Sequence, residues 1–128
     1  MLAQMFSRTY KGHESEPCVP LYTEPTDIAT EGKGRATVEE VYQQITSDLD
    51  KAITMLGNSG KRKHISHINE AVASGIKARV ALVMEDWQTA LDAANAAISK
   101  SGCSIGTGTA VTGGMNDATA NNVMWAAE

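Results

Sequence analysis

The residues able to do chemistry in this chain are few and scattered. His64 and His67 stand three apart, a spacing at which two imidazoles on one helical turn can share a metal ion. Lys61, Arg62 and Lys63 adjoin them and oppose a cation, and no acidic or cysteine third ligand is near in sequence, so the stretch is read as a solvated loop without metal. Cys18 and Cys103 form no Cys-x-x-Cys pair and are too few for a disulfide framework. Gly106-Thr107-Gly108 has half the glycine pattern of a phosphate-binding loop, but no strand leads into it and no capped helix follows. Glu39, Glu40, Asp48 and Asp50 read as capping and surface carboxylates of one helix rather than a hydrolytic pair. No nucleophile, base and orienting group recur in a recognisable arrangement. The sequence therefore points away from an enzyme and implies no cofactor.

The chain has 128 residues, 42% hydrophobic and 20% charged, which fits one globular domain. Its net charge of −4 and pI near 5.3 give no electrostatic reason to approach nucleic acid or an anionic bilayer. No run of about 18 apolar residues is present, and Met1-Leu2-Ala3-Gln4-Met5 lacks the basic and long apolar regions of a signal peptide. On this reading the chain itself neither spans a membrane nor carries an export signal.

The elements that would position any site are mainly helical. Leu2, Met5, Phe6, Thr9 and Tyr10 follow one helix face, with Gly12 placed to end it. Residues 13–36 hold all three prolines, Pro17, Pro20 and Pro25, and must run extended or turning. Thr37-Val38-Glu39-Glu40 is a capping box that starts a helix from Val38 to Leu56. Its stripe of Val38, Val41, Tyr42, Ile45, Leu49, Ala52, Ile53 and Leu56 keeps helical spacing.

Ser66 is read as the N-cap of a helix from His67 to Met84, whose narrow polar stripe is Glu70, Ser74, Lys77, Ala81 and Glu85. Arg79 lies opposite that stripe and needs a carboxylate, for which Asp48 is the candidate. An alanine-rich helix, Trp87 to Ser99, follows the Glu85-Asp86 turn, and a glycine-rich loop then leads to a short strand in Asn122 to Glu128.

The pair from Ser66 to Ser99 resembles a tetratricopeptide hairpin, with Ala78 meeting Ala90 and Trp87 wedged after the turn; Ala94 and Ala97 continue the spacing. The expected fold is thus mainly all-α: tetratricopeptide-like hairpins with a long proline loop and a short C-terminal strand. It forms one partial domain over 1–128, divided into the proline loop 13–36, a helical core 37–99 and a glycine-rich loop and strand 100–128.

The order of segments is more specific. Val19-Pro20-Leu21-Tyr22-Thr23-Glu24-Pro25-Thr26 precedes Arg35-Ala36-Thr37-Val38-Glu39-Glu40-Val41-Tyr42-Gln43-Gln44-Ile45 and Asp48-Leu49-Asp50-Lys51-Ala52-Ile53. Ile76-Lys77-Ala78-Arg79-Val80-Ala81-Leu82 and Asp86-Trp87-Gln88-Thr89-Ala90 follow. This succession resembles the RagB/SusD family of nutrient-binding outer-membrane lipoproteins of Bacteroidetes. The resemblance implies an internal fragment of a surface lipoprotein that binds oligosaccharide or another nutrient. It also implies a SusC-like TonB-dependent transporter as partner, and a membrane attachment made only through a lipid anchor outside this chain.

In a glycan binder a flat aromatic face covers the apolar face of a sugar, which directs attention to Trp87, Trp125 and Tyr22. Trp87 is read as structural, together with Arg79, Asp48, Ala78 and Ala90. Tyr22 in the proline loop and Trp125 near the end remain the ligand candidates. The alternative from another class is a free-standing helical-repeat adaptor that binds a protein.

Overall fold

The structure is a computed structural model that describes residues 2–113 and 117–126. Its first helix, α1 (Leu2–Phe6), is shorter than the periodicity predicts. The hydroxyl of Ser7 donates to the Ala3 carbonyl at 2.5 Å, and the chain leaves the helix there. Only Ala3 of this helix is buried, whereas Leu2, Met5 and Phe6 are exposed. So short a helix draws its stability from packing, and here little packing is present to extend it.

The proline segment is organised as a small ribbon. Strand β1 (Pro17–Pro20) pairs antiparallel with β2 (Arg35–Thr37), with Pro17 opposite Thr37, Pro20 opposite Arg35 and an irregular register between. Prolines lack an N–H for a ladder, which confines such strands to edges. Arg35 ties the ribbon together by other bonds, since its guanidinium donates to the β1 carbonyls of Cys18 and Pro17.

Thr37 ends β2 and caps α2 (Val38–Gly57). Its Oγ1 accepts from the Glu40 amide at 3.2 Å while the Glu40 carboxylate accepts from the Thr37 amide at 2.8 Å, the reciprocal box read in the sequence. Val38, Val41 and Tyr42 bury their side chains with Ala3 and Cys18 in one cluster, which Tyr10, Ile45, Val80 and Met84 flank.

Helix α3 runs from Glu70 to Val83 and starts later than expected. Asn69, not Ser66, is the cap, and its side chain accepts from the Val72 amide at 3.0 Å. Arg62 donates to the carbonyls of Ile65 and His67, holding 65–68 outside the helix. The stripe that looked polar is packed: Ser74 and Ala81 are buried, whereas Ile76 and Leu82 are exposed. Three of its polar members are satisfied locally or by the neighbouring helices, while Glu85 is exposed just beyond the end of the helix. Ser74 Oγ donates to the Glu70 carbonyl, Lys77 pairs with Asp50 on α2, and Glu70 pairs with Lys100.

Asp86 accepts from the Thr89 amide and caps α4 (Trp87–Ser101), which ends at Gly102 in the left-handed region, φ 68°. α3 and α4 pack along their length, with Ala71, Ala73, Ala78, Ala90, Ala93 and Ala97 buried. A four-residue turn of helix, α5 (Thr109–Thr112), follows. The strand expected at the end is not formed: residues 122–126 run as turn and bend, and 127–128 lie outside the described residues. Side-chain bonds to the α2–α3 loop hold this segment instead of a strand partner.

Candidate binding site

Two aromatic residues stand out as candidates, and the structure holds them by different means. Tyr22 follows β1 in the proline segment, 42% exposed. Its hydroxyl accepts from the Lys33 amide at 2.9 Å, and the Lys33 ammonium lies 5.7 Å from the ring centroid. A cation at that distance is attracted to the ring face. One strand connection thus folds back on itself and leaves the phenol anchored at its tip.

Trp125 is 48% exposed. Its indole N–H donates to the Ser66 carbonyl at 2.9 Å, and the neighbouring Met124 carbonyl accepts from Arg62 at 2.7 Å. The ring forms one wall of an open cavity of about 530 Å³ with Tyr42, Ile45, Ile76, Arg79 and Val80. That size falls within the range of small-molecule sites, about 300–1,000 Å³, and the lining is mostly apolar as such sites are. Tyr42 is fixed by burial and by an edge-on contact with Tyr10, ring centroids 5.2 Å apart. Burial pushes the Tyr42 phenol up from its ordinary pKa, so it stays a neutral hydroxyl.

Other sequence expectations are corrected. Arg79 is exposed and lines this cavity, so it needs no buried carboxylate. Asp48 instead accepts from the Gln44 side chain at 2.8 Å, within its own helix. The charge pair across α2 and α3 is Lys77 with Asp50. Trp87 is 63% exposed at the start of α4 rather than wedged in a core. With Leu91 and Ile98 it forms an apolar stripe facing outward. Ala78 and Ala90 are buried in the α3–α4 contact.

His64 and His67 have ring centroids 6.3 Å apart, and His64 Nδ1 is 2.9 Å from the Ser66 hydroxyl. Among the described residues no group of three or more His, Cys, Asp or Glu is placed to hold a metal. Both cysteines are free, Cys18 buried and Cys103 half-buried. Arg62 is the residue that sequence reading missed. It joins positions 62 residues apart, and no local periodicity signals such a bond.

Residues 1–82 match the model of the family described as SusD-like, starch-binding and associating with the outer membrane. The chain belongs to the SusD-like family. It is similar, at 28% identity and a TM-score of 0.85, to the crystal structure of a SusD-like carbohydrate-binding protein from Bacteroides vulgatus ATCC 8482, over 97% of this chain and 26% of that one. A SusD superfamily protein from Bacteroides thetaiotaomicron VPI-5482 is also 28% identical, with a TM-score of 0.72 over 83% of this chain and 23% of that one. The chain thus spans about a quarter of the length of these SusD-like structures. No curated protein matches it. No helix among the described residues is long and apolar enough to cross a membrane.

Proposed function

We propose that this SusD-like chain is part of a surface-exposed, glycan-binding outer-membrane lipoprotein that delivers oligosaccharide to a TonB-dependent transporter. It acts by binding, not by catalysis. The observation that carries the reading is the family match over residues 1–82, joined to a fold that 97% of this chain shares with 26% of a SusD-like carbohydrate-binding protein. Tyr22 and Trp125 are the residues proposed to meet sugar, because both expose part of a ring whose polar tip is already bonded. An aromatic so anchored loses little side-chain freedom when a ligand stacks on it. The lipid anchor and the transporter contact are assigned to the parent protein.

Calorimetry of the chain, and of the longer protein containing it, against starch-like, plant and host glycans tests the reading. Saturable binding that weakens in Tyr22→Ala or Trp125→Ala is expected. Failure of both proteins to bind any member of the panel would overturn it.

The outward stripe of Trp87, Leu91 and Ile98 favours a second reading, a helical-repeat adaptor that binds a protein through α4. Co-purification of the parent with a soluble protein instead of a transporter would favour that alternative.

A further inference from the structure

The chain is acidic overall, yet three consecutive cations, Lys61, Arg62 and Lys63, occupy the loop between α2 and α3, with His64 and His67 just beyond. Gly60, at φ 77°, takes the left-handed turn that opens this loop. Arg62 then folds inward, its guanidinium donating to the carbonyls of Ile65, His67 and Met124. The geometry divides the labour among the three cations. Arg62 is spent on holding the loop, while Lys61 and Lys63 on either side of it are exposed. Among the described residues, no carboxylate pairs with either lysine.

Lys61, Lys63 and His67 line a concave opening of about 300 Å³ with Ser59 and Asn69, and among the described residues no carboxylate lines it. A broader hollow of about 660 Å³ continues from Lys61 and Arg62 towards Lys100, whose charge is balanced by Glu70. The Trp125 side chain is bonded to the same loop at Ser66. The indole ring itself faces the separate cavity with Tyr42 and Arg79, so the opening offers its two exposed lysines, which suit a ligand bearing negative charge.

We infer that the loop from Gly60 to His67 is a binding site for an anionic carbohydrate, one bearing sulfate or carboxylate groups, with Lys61 and Lys63 as the charge-reading residues. The identity of the ligand as a sugar rests on the carbohydrate reading above; the preference for negative charge rests on the loop. The site is local. An extended anionic bilayer or nucleic acid would also meet the chain's net charge of −4. A short charged sugar held in the opening experiences chiefly the nearby lysines, because charges beyond about 8 Å are screened at physiological salt.

The test is calorimetry of the 128-residue chain with maltohexaose, sulfated maltohexaose, inorganic sulfate and phosphatidylglycerol vesicles. Sulfated maltohexaose is expected to bind about tenfold or more tighter than the neutral sugar, the scale of one charge-assisted hydrogen bond. The Lys61→Ala, Lys63→Ala double variant should lose that margin. Lys11→Ala with Lys51→Ala removes the same charge from other exposed positions and should keep it. Equal binding of the sulfated and neutral sugars overturns the inference and leaves the carbohydrate reading standing. Inorganic sulfate or vesicles matching the sulfated sugar overturn the sugar identity of the site. No binding of the sulfated sugar, or an unchanged margin in the loop variant, overturns the site itself.

Discussion

The Trp125 indole N–H reaches back across 59 residues to donate to the carbonyl of Ser66 at 2.9 Å. Beside it Arg62 holds the Met124 carbonyl, so two bonds clasp the end of the described chain onto the α2–α3 loop. Trp125→Phe keeps an aromatic ring but removes the donor, and should cost about 0.5–1.5 kcal/mol, the net worth of one hydrogen bond. Trp125→Ala also removes the cavity wall and should cost more. Urea melts of the two variants check this ordering. Equal midpoints for both variants and the parent would show that the clasp contributes nothing.

How far the sequence revealed this arrangement depended on how far each interaction reached along the chain. The Thr37–Glu40 box is separated by three residues and was readable because both partners and their roles are local. The α3–α4 hairpin was readable for the same reason: alanine spacing and a short turn are features of adjacent segments. Helical periodicity failed where the neighbour, not the residue, decided burial. Ser74 and Lys77 lie on the packed side of α3 because Ser74 bonds the preceding turn and Asp50 on α2 meets Lys77. The hairpin spacing places Trp87 as a wedge after the turn, yet it is exposed, because no element among the described residues covers it. The candidate site is legible only as residue types: Tyr22 and Trp125 stand out in the sequence, but the anchoring roles of Arg62, Lys33 and Ser66 do not, because each depends on a partner distant along the chain.

Lys77 and Asp50 join α3 to α2, with side chains 23% and 53% exposed. A pair that open to solvent is worth little, and a double-mutant cycle with Lys77→Met and Asp50→Asn should give about 0.3–1 kcal/mol of coupling that shrinks in high salt. The same cycle on Arg79→Met and Asp48→Asn should be additive, since Asp48 is held by Gln44 and Arg79 lines the Trp125 cavity. Coupling at the second pair and none at the first would reverse the assignment.

Stability should fall in acid through the helix caps. The Thr37 amide, then its hydroxyl, hold the Glu40 carboxyl below its ordinary pKa, and the Thr89 side chain and amide do the same for Asp86. A carboxylate whose pKa is lower folded than unfolded adds stability above its unfolded value. That stability is lost as pH falls through the folded value. Thermal midpoints should therefore decline as pH drops below the ordinary carboxylate range, and the decline should be smaller in Glu40→Gln and Asp86→Asn. An unchanged acid slope in both variants would place the titrating groups elsewhere.

Two substitutions of opposite sense at the α3–α4 hairpin should both stabilise it. At Glu85 the backbone sits at φ 61°, the left-handed region, as the Asp86 amide donates to the Ala81 carbonyl and the Glu85 amide to that of Leu82. These two bonds close the helix in the manner that favours glycine at this position. A residue with a Cβ is strained there by about 1–2 kcal/mol, and glycine relieves it while adding freedom to the unfolded chain. Glu85→Gly should therefore gain about 0.5–1 kcal/mol net. Gly75, inside α3, has the reverse problem, because its backbone is helical and the space beside it is open. A Cβ there would meet only the Ala97 Cβ at 3.9 Å, an ordinary contact. Gly75→Ala should gain about 0.5–1 kcal/mol by limiting the unfolded ensemble. Denaturant midpoints of the single and double variants test both, with the two gains adding within about 0.5 kcal/mol if the sites are independent. A loss at Gly75→Ala would mean that the α3–α4 contact is tighter in solution than a 3.9 Å approach allows, and that small residues there are required by packing.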